Sequence, residues 1–392
     1  MGHFIKRTIQ TIVGLAVIGG AGFLTFGPAI VEKGKNAVLA HDPYPVSDQA
    51  AALHKTLVIG DWHADSLLWK RDLTKRATRG QVDIPRLQAG NVAIQVFTAV
   101  TKSPKGLNYE TNSADAPDDI TLLAVAQLWP MRTWGSILER ALYQAEKLHG
   151  FEATAPDSLK IIRTRADLDN VLERRRNGEN IVAGLLGIEG SHPLEGKLAN
   201  LDKLVNAGYR LIALQHFFDN ALGGSLHGEG NHGLTDFGRE VVAKVATSNL
   251  ILDLAHSSTQ TARDVLAMTD IPLVVSHTGT YSHCNTKRNF PDDLMREIAA
   301  TGGVIGIGYW AEVTCDASPN GVAAAIKAAV DLVGEDHVSL GSDYDGTIEA
   351  EFDTSELAAL THALLQQGLS EDQIRKVMGD NMVRVLRARL PH

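Results

Sequence analysis

The stretch DLMREIAATGGVIGIGY, residues 293–309, decides the fold. Its first part reads as a helical pattern and its second as an almost uninterrupted apolar run. Gly302 falls between them, where a helix C-terminus stops before the chain turns into a strand. A strand that is apolar on both faces is covered on both, as in a parallel sheet flanked by helices. Working outward, the same unit recurs. Apolar runs lie at LVIGDW (57–62), VAIQVF (92–97), VAGLLGI (182–188), RLIALQ (210–215), LILDLA (250–255), PLVVS (272–276) and VSLGS (338–342). Helical patterns between them include LDKLVNAG (201–208), REVVAKVATSN (239–249) and VAAAIKAAVDLVG (322–334), with Gly208 and Gly334 at the stops. Together with 303–309 this makes eight strands alternating with helices, which predicts a (β/α)8 barrel. A doubly wound open sheet is the alternative. No G-x-G-x-x-G follows the first strand, which weakens its dinucleotide-binding version.

Residues 99–180 form an insertion after the second strand. It holds a helical stretch over 119–149, which Pro130 can kink, and a second helix over 166–177. Near the C-terminus, Ser370 and Gln373 form a capping-box pattern. The length of 392 residues suits two or three ordinary domains or one barrel with insertions. A hydrophobic fraction of 44% and a charged fraction of 21% exclude a disordered, collagenous or coiled-coil chain. Net charge is −9, with no basic tract, so nucleic acid is not expected as a partner. Two cysteines exclude a disulfide scaffold or a cysteine-based zinc finger.

Thr8 to Val31 contains no charged residue and follows Lys6 and Arg7. That length spans a bilayer as a helix. Residues 1–35 are therefore read as an uncleaved membrane anchor, with a cleaved signal as the alternative. Residues 36–50 follow as a polar tether and 51–392 as the barrel. The Lys6–Arg7 charge places the N-terminus in the cytoplasm and the barrel outside it, periplasmic or extracellular.

The chemistry lies where the strands end. In a barrel enzyme the active site sits at the carboxyl ends of the strands. Here the first strand ends in Asp61-Trp62-His63-Ala64-Asp65, the third in Glu189 and the fourth in His216. The fifth ends in His256, the sixth in His277 and the eighth in Asp343 and Asp345. A lone histidine at a strand end is usually just a satisfied polar residue. So many converging imidazoles and carboxylates would be costly to bury without a cation. Neutral imidazoles with carboxylates suit zinc or another first-row divalent ion. His63, Asp65 and Glu189 suit one metal, and His256 with His277 a second. A bridging carboxylate would hold the two ions about 3.5–4 Å apart. His192, His227, His232 and His283 read as structural or exposed residues, and Asp61 and Asp345 as groups that orient ligands or loops.

These motifs resemble the membrane dipeptidase (renal dipeptidase) family of zinc peptidases, from about residue 57 to residue 387. DWHAD (61–65) is similar to the family's D-G-H-N-D motif, and GIEGSH (187–192) to its E-G-[GA]-H motif. GLTDFG (233–238), LDLAHSS (252–258), VVSHTGTY (274–281), KRNFPDD (287–293), SLGSDYDG (339–346) and GDNMVRV (379–385) follow in the family's order. The resemblance implies a dipeptidase with two Zn2+ per chain. His63 and Asp65 would bind one ion, His256 and His277 the other, and Glu189 would bridge them. It further implies His216 as the oxyanion-stabilising histidine, Arg288 as the partner of the substrate's terminal carboxylate, and Asp343 as the acid–base group. By itself, Arg288 reads as an ordinary surface arginine. Trp62 and Ala64 depart from the family's first motif, and FFDNALGGSLHGEGNHG (217–233) from its wording there, so the pocket's shape is open.

Cys284 and Cys315 lie in loops after the sixth and seventh strands. Neighbouring loops can bring such a pair into disulfide range, an exported domain meets an oxidising compartment, and the resemblance also supports a bridge. Two free thiols are the alternative. The expected partners are dipeptides and, through the N-terminal helix, a membrane; a homodimer is open to this reading. Two rival functions remain. One is another binuclear amidohydrolase, such as a deacylase or lactonase, on the same barrel. That group often uses a bridging lysine, and no lysine follows any of these strands at a ligand position. The other is a surface-anchored binding protein without catalysis.

Overall fold

The computed structural model describes Lys6, Gly22 and residues 24–392. Nine parallel strands form one sheet: β1 (Ile59–Ala64), β2 (Val92–Val100), β3 (Leu159–Ile161), β4 (Val182–Glu189), β5 (Tyr209–Ala213), β6 (Ile251–Asp253), β7 (Val274–Thr278), β8 (Val304–Ile307) and β9 (Val338–Leu340). The order is β2-β1-β9-β8-β7-β6-β5-β4-β3, and β2 also pairs with β4. That pairing, in register from Ile94↔Ala183 to Val100↔Glu189, closes eight of the strands into a barrel. It excludes the open-sheet alternative. All eight expected strands are present. The ninth, β3, pairs only with β4 outside the barrel, and three residues are too short a run to show in the sequence.

The helices cap as the sequence indicates. Gly208, Gly302 and Gly334 have φ of 111°, 79° and 90°, a region that glycine enters without strain. Ser370 accepts from the backbone N–H of Gln373, whose side chain accepts from the N–H of Ser370. The insertion differs from the single helix expected over 119–149. It forms helices at Asp119–Ala126, Arg132–Gly135 and Ile137–Thr154. Leu128 turns left-handed at φ 57°, just before Pro130. The third helix then starts afresh, because Ser136 and Glu195 supply side-chain acceptors for its first N–H groups. That helix is tied to the barrel mouth. Gln144 donates to the carbonyl of Val100, and Lys147 to those of Leu67 and Trp69.

Most of the expected anchor, Thr8–Val31, lies outside the described residues. Among the described residues no helix is long and apolar enough to cross a membrane. Residues 24–35 are helical. The stretch read as a tether lies against the barrel: Val38 bridges Ala350, Tyr44 donates to the carbonyl of Glu351, and a helix already begins at Asp48.

Candidate active site

His63, Asp65, Glu189, His216, His256, His277 and Asp343 are all buried and meet at the carboxyl end of the barrel. Glu189, the last residue of β4, is the hub. One of its oxygens lies 3.1 Å from His256 Nε2, 3.4 Å from His63 Nε2 and 3.5 Å from His277 Nε2. The other lies 3.5 Å from His216 Nε2. His63 Nε2 is also 3.5 Å from Asp65 and 3.8 Å from Asp343. The Nε2 atoms of His256 and His277 face each other at 2.9 Å.

The barrel builds this cluster from its backbone outward. Past β4 the chain turns at Gly190, φ 74°, where a Cβ would sit 2.7 Å from the His192 ring. His256 and Asp343 are left-handed at φ 63° and 59°, as is Asp345 at 63°. Non-glycine residues hold such conformations where the surroundings impose them, and they concentrate at functional sites. Supporting polar groups fix the rings. Ser276 Oγ lies 3.2 Å from His63 Nδ1 and 2.9 Å from His277 Nδ1. Thr98 donates to Asp65 at 2.6 Å. Asp61 accepts from the backbone N–H of His63 and of Ser342, linking the ends of β1 and β9.

Burial favours neutral groups throughout, and local charge decides the outcome at each. Burial alone would raise the Glu189 carboxyl, but the imidazoles of His216 and His63 hold it well below the usual range. Burial pushes Asp343 well up; His63 opposes this while the carboxylates of Glu189 and Asp65 reinforce it. Burial, with the nearby charge of Arg288, keeps His256 and His277 neutral. His256 and His277, neutral beside ionised Glu189, are a metal-binding donor set, while at His63 burial is outweighed by the carboxylates of Glu189 and Asp65, which raise it well above its usual value. His63 Nε2 and Glu189 Oε2 are buried without a hydrogen-bond partner, which fits atoms reserved for a cation. Three sets of residues have donor atoms close enough to share an ion: His63–Glu189–His277, Glu189–His216–His256 and His63–Asp65–Asp343. Glu189 belongs to two of them, as a bridging ligand would. The grouping differs from that expected: Asp65 falls with His63 and Asp343 rather than with Glu189, and His277 falls with His63 and His256 with His216 rather than with each other.

Arg288 is 1% exposed and not a surface residue. Its Nη2 donates to the carbonyl of His277 at 3.0 Å, and its guanidinium lies 5.4 Å from the Trp310 ring centre. Nε and Nη1 are buried with no partner. A cavity of about 500 Å³ opens onto Asp65, His216 and Asp343. Tyr109, Trp310, Lys35 and Leu39 also line it. No motif pointed to these four: Lys35, Leu39 and Tyr109 lie away from the strand ends, and Trp310, three residues past β8, carries no titratable or metal-ligating group. Trp62 and Ala64 bear less on the pocket than their departure from the family pattern indicated. Both are fully buried, Trp62 in an apolar cluster with Ile94, Val274, Val304 and Met382.

Of the residues read as structural or exposed, His232 and His283 are exposed, whereas His192 and His227 are buried. His192 stacks on Phe218 and His227 on Phe217. Burial lowers both to about 3. Asp345 orients its surroundings as expected, pairing with Arg71 and accepting from Ser66. Cys284 and Cys315 form a disulfide, with Cα atoms 5.6 Å apart.

The pattern of the membrane dipeptidase family, peptidase family M19, matches residues 47–390. "Dipeptidase aclJ" of Aspergillus oryzae is 30% identical over 352 residues, covering 83% of this chain and 76% of that protein. "Dipeptidase ataJ" of Aspergillus terreus is 26% identical, covering 89% and 88%. Among solved structures, that of the metallopeptidase "dipeptidase AC" of family M19 superposes with a TM-score of 0.71 at 25% identity, covering 86% of this chain and all of that one. A Rhodobacter sphaeroides metallopeptidase, solved with a phosphinate mimic of the dipeptide L-Ala-D-Ala, shares the fold with a TM-score of 0.68 at 24% identity, covering 85% and 99%. The chain is a metallopeptidase-type hydrolase and belongs to the membrane dipeptidase family.

Proposed function

We propose that this protein hydrolyses dipeptides, with two zinc ions held by His63, Asp65, Glu189, His256 and His277. The observation that carries the reading is the single carboxylate of Glu189, within 3.5 Å of four imidazoles. Oxygen and imidazole donors suit zinc. When bound, such an ion pair acidifies a water molecule and polarises the scissile carbonyl.

The protein's own groups supply the rest. The Arg288 guanidinium, with Nε and Nη1 unpaired, would take the substrate's terminal carboxylate. A fixed distance from Arg288 to the metal ligands then admits one residue beyond the cleaved bond. His216 Nδ1 faces the carbonyl of Lys102 at 3.3 Å, and Nε2 faces the cluster. Nε2 would donate to the oxygen that gains charge in the transition state. Asp343 lines the cavity and would accept the attacking water's proton, then return it to the leaving amine.

A panel of dipeptides, tripeptides, dipeptide amides, lactones and phosphotriesters tests this reading. Dipeptides should be turned over fastest. Faster turnover of lactones or acylated amines would favour the broader amidohydrolase, and no turnover of any substrate would favour a binding protein. We further propose that the uncharged stretch Thr8–Val31 anchors the chain with its barrel outside the cytoplasm; the support is the length of that stretch and the preceding Lys6–Arg7 pair.

A further inference from the structure

Residues 32–39 are bonded to the loop that carries Asp343. Glu32 is 1% exposed, and its two oxygens accept from Arg71 Nε at 2.5 Å and Arg79 Nε at 2.6 Å. Arg71 continues to Asp345, which also accepts from the backbone N–H of Gln81 at 2.8 Å. Asn36 Oδ1 accepts from the N–H of Thr347 at 2.8 Å. The N–H of Leu39 donates to the carbonyl of Ala350, and the N–H of Ala350 to the carbonyl of Ala37. A buried carboxylate shared by two arginines is costly to pull out, because each charge would lose its partner. The segment is thereby fixed against residues 345–350.

From that position Lys35 and Leu39 line the cavity that holds Asp65, His216 and Asp343. The same cavity is lined by Glu312, Glu349 and Glu351, so three carboxylates besides Asp65 and Asp343 stand against one ammonium. Glu312 and Glu349 are exposed and Glu351 is half-buried. We propose that residues 32–39 are a fixed wall of the substrate cleft, and that Glu312, Glu349 and Glu351, only partly offset by Lys35, make the cleft select dipeptides with a cationic side chain over those with an anionic one. This inference rests on the dipeptidase reading and adds the charge of the preferred substrate.

The test uses the full-length, metal-loaded protein. kcat/KM is measured for Lys-Ala, Ala-Ala, Glu-Ala, Ala-Lys and Ala-Glu in the wild type, in Lys35→Glu and in Glu349→Gln/Glu351→Gln. In the wild type the cationic member of at least one pair should exceed the anionic one. Lys35→Glu should widen that ratio roughly three- to tenfold, as solvent-screened charges a few ångströms apart allow. Glu349→Gln/Glu351→Gln should narrow it comparably. Raising the salt to about 0.5 M should shrink all of these differences. If Ala-Ala is hydrolysed but the cationic-to-anionic ratio is the same in all three proteins, the wall has no such role. If no dipeptide is hydrolysed, the dipeptidase reading itself fails, and this inference with it.

Discussion

Replacing Arg288 by alanine separates substrate recognition from the rest of the chemistry. The side chain is held in place by its bond to the His277 carbonyl and by packing on Trp310, while Nε and Nη1 stay unpaired. A carboxylate placed there would gain charge-assisted hydrogen bonds from a donor already oriented. Such contacts contribute about 1.5–3 kcal/mol, or roughly ten- to a hundredfold in kcat/KM. The wild type should therefore prefer Ala-Ala over Ala-Ala amide by about that factor. In Arg288→Ala both substrates should be slow, and the preference should fall below about threefold, because the missing charge no longer distinguishes them. Arg288→Lys should lie between, since lysine restores the charge but not the planar fork. The assay is a four-way cycle of kcat/KM values, with thermal melting and metal content measured on each variant to show that fold and site are intact. An acid-to-amide ratio equal in Arg288→Ala and the wild type would refute the assigned role, whatever the loss of overall rate.

Other outcomes follow from the same structure. His54 is buried against Thr361, and burial lowers it from 6.5 to about 4. Its contribution to stability is complete above pH 6.5 and is lost as pH falls toward 4, because the unfolded chain takes up the proton first. At pH 5 this amounts to about 2 kcal/mol, and a denaturant series from pH 7 to 5 on the wild type and His54→Gln should show the variant with the flatter dependence. The Cys284–Cys315 bridge closes a loop with a sequence separation of 31. Reduction should cost about 3–4 kcal/mol by loop-closure entropy, read as a lower melting temperature in reductant; an unchanged melting temperature with both thiols alkylated would contradict this. Removal of residues 1–23 should leave activity intact. Removal of residues 1–39 should impair it, because Glu32 and Asn36 no longer hold the loop after Asp343; equal kcat/KM in both truncated chains would contradict that.

Much of this architecture is legible in the sequence because the barrel strands are covered on both faces and so read as continuous apolar runs. The metal-ligating candidates are legible for a related reason. Strand ends converge, so His63, Glu189, His256 and His277 must meet if the strand boundaries are right. What depends on loops is not legible. Arg288 lies well beyond β7, and only the return of that loop, marked by the bridge between Thr280 and Phe290, brings it beside His277. Lys35 and Leu39 reach the cleft through the Glu32–Arg71–Asp345 chain, which joins residues from three distant parts of the sequence. His227 reads as a loop residue, yet the ring packs on Phe217 with Nδ1 2.7 Å from the Tyr109 carbonyl, inside a fold made by the insertion. The insertion's helix breaks at Leu128 and Pro130; the proline marks the break in the sequence, whereas nothing in the hydrophobic pattern marks the left-handed turn at Leu128.

The central claim is that Glu189 organises a two-metal dipeptidase site. The most direct test measures metal content per chain and Ala-Ala hydrolysis together, in the wild type and in Glu189→Gln. Expected are two metal ions per wild-type chain, predominantly zinc, with turnover. In Glu189→Gln the metal content should fall below the wild-type value, and kcat should drop by at least about a hundredfold, as loss of a bridging ligand leaves neither ion correctly held. Active wild-type protein holding less than one metal per chain, or a Glu189→Gln variant with full metal content and full activity, would contradict the claim.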